Sequence, residues 1–369
     1  MIVRGRHPHL RQALVAAVLL APAVALFGVL VVYPAIRALW VSTQQWTGFS
    51  PRTSPVGGEH YLGLFGPTAI GLMPWLGGAV VGLAGAAMLG GRMRRTGATL
   101  TRRRRGRWLS GLASGTLLAV VVAFLIAWLF VWTDGDSYFR GCVRNNFAYM
   151  LVGGLFQFVF AFIFAAALAI PAFRGKVFFR TMIFFPSFIS AVGVAMLWQR
   201  IYDPKNGLAN FLLNLVHISP FEWLSGDNML NSIIVCGVWA GVGSQMILLL
   251  AGMQRIPATY YEAARIDGAG EGRVFLHVTL PMMREVILIV ATLWVIGSLR
   301  VFGLFQAFTI AHTDKTSVIS VRQYELAFSN RDNIYMMGYA TAMAVVLLVL
   351  VVLGSVGLRS LREREPLEF

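Results

Sequence analysis

Apolar runs long enough to cross a bilayer recur along this chain, at about residues 13–40, 69–91, 108–132, 146–171, 181–199, 229–252, 286–308 and 334–358. A helix of roughly twenty residues spans about 30 Å of hydrocarbon, and it satisfies its own backbone groups where no water can. The pattern predicts an all-α polytopic membrane protein with about eight transmembrane helices. Composition agrees, with 57% hydrophobic and 13% charged residues. The first run continues from Gln12 to about Ile36, longer than the core of a signal peptide, and reads as an uncleaved span.

In a soluble protein the net charge of +15 would point to nucleic acid. Here the arginines cluster between apolar runs, eight of them within residues 92–107, so their placement is topological and no nucleic-acid partner is expected. With both termini in the cytosol, 21 of the 31 Lys and Arg fall inside and 8 outside. The chain then divides into a cytosolic N-terminus (1–12), a first core span with an external loop (13–68), an extra transmembrane hairpin (69–132), a core (133–358) holding a cytosolic loop (253–285), and a cytosolic tail (359–369). The hairpin reads as a peripheral, lipid-facing addition. Its arginines at 102–105 either anchor the topology or bind anionic lipid.

The cytosolic stretch Tyr260 to Glu285 reads YYEAARIDGAGEGRVFLHVTLPMMRE. Glu262-Ala263-Ala264-Arg265-Ile266 favours a helix, while Gly268, Gly270 and Gly272 allow a sharp turn. Phe275, Leu276 and Val278 resume an apolar stripe, and Pro281 marks where a new helix begins or kinks.

The order Glu262-Ala263-Ala264, Asp267-Gly268-Ala269, Phe275, then Leu280-Pro281 resembles the EAA loop of ABC importer permeases, with the best match to the maltose-type sugar permeases. The resemblance runs from about Leu14 to Tyr61 and from about Phe139 to Gly357; Glu285 stands near where many members carry a second proline. It implies a six-helix permease core in a bacterial or archaeal plasma membrane, and a coupling role for those nine residues in docking an ATPase subunit. It also implies a second homologous permease subunit, an extracellular solute-binding protein, and ATP and Mg bound by the partner ATPase.

The residues themselves supply independent constraints. No G-x-x-x-x-G-K-[ST] phosphate loop occurs, so energy must come from a partner and no cofactor is expected on this chain. None of the sixteen carboxylates lies mid-span, which argues against an ion-coupled carrier. The six histidines are scattered without ligand spacing, and Cys142 and Cys236 read as structural. For solute contact the candidates are Gly237, Trp239, Gly241, Ser244 and Gln245 in one span and Trp294, Ser298 and Arg300 in the next. Gly237, Gly241 and Ser244 fit helix packing equally well, and Arg300 fits either a cavity or an outer-leaflet anchor. A permease importing a sugar or another small solute is the leading reading; a non-transporting membrane scaffold that docks an ATPase is the alternative.

Overall fold

The computed structural model describes residues 8–49, 53–68, 70, 134–170, 174–308, 315–328 and 335–362. Apart from residue 70, the hairpin expected at 69–132 lies outside the described residues. In chain order, α1 (Pro8–Phe27) continues through a π-helical turn, Gly28–Val32, into α2 (Tyr33–Val41). The strands β1 (Gln44–Gln45) and β2 (Ser54–Pro55) pair antiparallel. Then come α3 (Ser137–Ala148), a π turn at Tyr149–Gly153, α4 (Gly154–Ala169), α5 (Lys176–Phe184), a 3-10 turn at Phe185–Phe188, α6 (Ala191–Ile201), α7 (Leu208–Leu215) and α8 (Met229–Met253). The remainder comprises α9 (Ala258–Ile266), α10 (Glu271–Val274), a π turn at Phe275–Thr279, α11 (Leu280–Met282), α12 (Arg284–Leu299), α13 (Gly303–Phe308), α14 (Ile319–Phe328) and α15 (Met337–Arg362).

Four stretches are long and apolar enough to cross a membrane: Ala16–Val41, Ser137–Ala169, Met229–Met253 and Met337–Leu358. Two bent pairs bring the number to six among the described residues if each pair is one span. The span expected at 146–171 starts earlier, at Ser137, because Asp136 caps it by accepting the Tyr138 and Phe139 backbone N–H groups at 2.8 and 3.2 Å. The run at 181–199 is not one straight helix. It bends by 101° between Phe188 and Ala191, where Pro186 removes a backbone donor and Ser190 caps the new helix at Gly193 N–H. The run at 286–308 also divides, into α12 and α13. Two of the π turns end two residues before a proline, Pro34 or Pro281; a widened turn relieves the clash of a proline ring with the carbonyl four residues back.

The described chain forms two units, residues 1–60 with 323–346, and residues 61–322 with 347–369. In the first, the C-terminal end of the opening span is held by the β1–β2 pair and by His60, whose Nε2 lies 3.0 Å from the Gln44 carbonyl. The apolar side chains of Ala16–Val41 are exposed almost throughout, as on a helix surrounded by lipid or by another chain. In the second unit, α4 packs along α8 through Ala161 and Ala165 against Val242, Met246 and Leu249. The small side chains of α4 let the two backbones approach closely. A second core gathers Tyr149, Ile233, Cys236, Phe305 and Phe308.

Candidate functional site

The loop at 253–285, expected to dock an ATPase, is built around the end of α9. Its last turn closes by two backbone bonds, Gly268 N–H to Arg265 O and Ala269 N–H to Ala264 O, both 3.0 Å. That is the Schellman arrangement, and Gly268 occupies its left-handed position with φ +75°. Asp267 terminates the helix, and Arg265 pairs with Glu271 of α10 at 3.3 Å across the turn. Thr279 donates to the Tyr261 hydroxyl at 3.5 Å, tying α9 to the π turn. Pro257 stands at the N-cap of α9, and Glu262, in the middle of the helix, is exposed. Ala263, Ala264 and Ala269 keep this surface narrow.

Phe275 behaves differently from the rest of the motif. It is half-buried, packs edge-on to Phe162 at 6.4 Å, and belongs to the α4–α8 core. Leu280 and Pro281 begin α11, and a 69° bend follows into α12. Sequence reasoning passed over Ile266, which is 86% exposed at the tip of α9. The available signal was a lone branched apolar residue closing a charged helix in a water-exposed loop.

The residues expected to meet a solute are mostly held by their neighbours. A side chain at Gly237 would collide with the Tyr149 hydroxyl at 2.5 Å, and one at Gly241 with the Gln157 amide at 2.6 Å. Trp294 donates from Nε1 to the Met150 carbonyl at 2.9 Å and lies 5.5 Å from the Tyr149 ring. Ser298 is buried, and its hydroxyl donates to the Val295 carbonyl at 3.1 Å. Trp294 and Ser298, both candidates for solute contact, therefore have their donors engaged within the chain. Trp239 is half-buried and edge-on to Trp198 at 5.6 Å. Gln245 and Gln157 are buried, and neither Oε1 has a partner among the described residues. Ser244 is exposed on α8, bonding the Gly241 carbonyl at 2.8 Å, and Arg300 is exposed at the C-cap of α12.

Two adjacent asparagines, absent from the sequence-based set, hold the break after α12. Asn146 Nδ2 donates to the carbonyls of Ser298 and Leu299, each at 3.3 Å, and its Oδ1 accepts Ile319 N–H at 2.9 Å. Asn145 Nδ2 donates to Ser317 O at 2.8 Å. The carbonyls left open where a helix stops inside an apolar core thus gain partners.

The pattern of the family described as "Binding-protein-dependent transport system inner membrane component" matches residues 146–364. The chain belongs to this family. Similar proteins include the probable ABC transporter permease protein YurN of Bacillus subtilis (strain 168), 34% identical over 220 residues, covering 58% of this chain and 74% of YurN. The trehalose/maltose transport system permease protein MalF of Thermococcus litoralis is 32% identical over 180 residues, covering 48% of this chain and 59% of MalF. The fold is similar to a chain in the crystal structure of a bacterial ABC transporter involved in the import of the acidic polysaccharide alginate, with a TM-score of 0.55 at 22% identity, over 71% of this chain and 99% of that one. As a member of this family the chain is a permease subunit, a transport component of the membrane.

Proposed function

We propose that the permease is one half of a pair that imports a carbohydrate across the plasma membrane by alternating access, receiving it from an extracellular binding protein and driven by ATP hydrolysis on separate ATPase subunits. The observation that carries the coupling role is the α9 tip. A helix closed by a rigid Schellman turn presents Ile266, Glu262 and Asp267 outward, and the described residues leave them uncovered. An apolar side chain at that exposure in water favours a partner's cleft. Closing two such loops together would transmit ATPase closure through α10, the π turn and α11 to α12, a chain of short helices joined at fixed bends.

The carbohydrate assignment draws on relatives named for trehalose and maltose and on the alginate importer of similar fold. Of the expected solute residues, Ser244 and Arg300 are exposed and available for contact; Gly237, Gly241, Trp294 and Ser298 position the helices behind them. Uptake of labelled sugars by a strain lacking this gene tests the reading. Loss of uptake of at least one carbohydrate, restored by the gene, is the expected outcome; unchanged uptake of every candidate solute overturns it.

A further inference from the structure

We propose that α7, Leu208–Leu215, is an interfacial helix whose apolar face is seated among lipid headgroups and upper acyl chains, at the end of α8 opposite the coupling loop. Leu208, Phe211, Leu212 and Leu215 recur at helical spacing, forming one face, and each is more than half exposed. Val216 and Ile218 extend the same apolar surface beyond the helix. Water is a poor environment for that stripe.

The helix cannot roll to hide the stripe. On the opposite face Asn210 is buried and fully used: Nδ2 donates to the carbonyls of Pro204 and Phe221 at 3.3 and 3.1 Å, while Oδ1 accepts Phe221 N–H and Trp223 Nε1–H at 3.0 and 2.9 Å. Those four bonds fix which side of α7 faces out.

Depth is set by the aromatic column to which Asn210 ties the helix. Phe221, Trp223, Tyr202, Trp198 and Trp239 follow one another at ring separations of 4.9, 5.3, 5.1 and 5.6 Å. Tyr202 directly follows α6, and Phe221 and Trp223 precede α8, which begins at Met229, so this end of the column stands where the membrane-embedded helices end, while Trp198 and Trp239 continue it into α6 and α8. Tryptophan and tyrosine concentrate at that boundary.

Charge fits the same occupant. Between Arg200 and Phe221 the charged residues are Arg200, Asp203 and Lys205. Asp203 accepts the N–H groups of Lys205 and Asn206 at 3.0 and 2.8 Å, Arg200 and Lys205 are exposed where lipid phosphates would lie, and no charge falls on the apolar face. A protein partner is less well matched, because the stripe is leucine-rich and lacks the Trp, Tyr and Arg anchors that dominate protein interfaces. Lipid rewards apolar area alone.

The test uses the full-length chain in lipid nanodiscs containing anionic lipid, with Leu212→Cys or Asn214→Cys labelled by the fluorophore NBD. Cys142 and Cys236 are fully buried, and the unsubstituted protein gives the labelling background. Gel filtration matching the unsubstituted protein establishes that each variant is folded. At position 212 the expected result is blue-shifted emission, loss of fluorescence with headgroup-proximal spin-labelled lipid, and none with iodide; position 214 shows the reverse. Iodide quenching at 212 equal to that at 214 places the stripe in water and overturns the proposal. Protection from both quenchers assigns it to protein, whether a second permease, another copy or residues 71–133, and overturns it equally. None of these readouts depends on which solute is carried.

Discussion

The side-chain amide of Asn146 donates to the Leu299 carbonyl at 3.3 Å, joining residues 153 positions apart. With its bonds to Ser298 and Ile319, this contact sets where α12 stops and α14 starts, and therefore where the span breaks toward α13. Asn146→Leu keeps the branching of the side chain but removes the amide partner of the Leu299 carbonyl and of the Ile319 N–H in a fully buried site. A cost of about 1–3 kcal/mol is expected, read as a lower Tm of the purified protein. An unchanged Tm would show that the break holds without the clamp.

Glycines of one protein should respond in opposite directions. A Cβ at Gly243 falls on the Ile183 carbonyl and the Phe184 backbone, neither of which can swing aside, whereas a Cβ at Gly297 meets nothing within 4 Å among the described residues. Gly243→Ala should push α8 away from α5 and destabilise by about 1–3 kcal/mol. Gly297→Ala should gain up to about 1 kcal/mol from helix propensity. Thermal unfolding of the two variants side by side checks the contrast, and a shared sign contradicts it.

What could be read from the sequence is what is local. The apolar runs mark the membrane class because hydrophobicity needs only a window, and Gly268 announces its own left-handed turn through Asp267-Gly268-Ala269. The 101° bend was missed because averaging over 181–199 hides Pro186 and Ser190, although both letters were there. Trp294 reads as a candidate for solute contact because its partner carbonyl, on Met150, lies 144 positions away. The same distance problem concealed Asn146. In Ile266 the letter is that of helix filler, and only the fold shows it uncovered.

Acid should act on the Asp227–Lys315 pair. Lys315 Nζ donates to the Asp227 carboxylate at 2.6 Å, and that bond, then the ammonium charge, holds the Asp227 pKa below its ordinary 3.8. A folded value below the unfolded one means the stabilisation is present above the unfolded value and is lost as pH falls through the folded one. Both groups are exposed, so salt weakens the effect. At low salt the unsubstituted protein should melt above Asp227→Asn near neutral pH, and the gap should begin to close as pH falls below 3.8 and vanish once it has passed through the lower folded value. A gap that persists in acid contradicts this assignment.

The proposed coupling loop offers the sharpest separation of stability from function. Ile266 is 86% exposed, so Ile266→Glu removes little packing from the chain itself. At Gly268, with φ +75° and open space around a Cβ, alanine is strained only by its backbone, a cost of about 1 kcal/mol or more. Asparagine tolerates left-handed backbone better than alanine does. Ile266→Glu should leave Tm unchanged yet lose the ATPase subunit in pull-down from membranes, because a carboxylate replaces the apolar tip offered to the cleft. Gly268→Ala should weaken retention partially by fraying the turn, and Gly268→Asn should recover much of it. If Ile266→Glu retains the ATPase and full uptake, α9 is not the docking element; if Gly268→Asn is as impaired as Gly268→Ala, the requirement at that position is for space at the partner surface, not for backbone conformation.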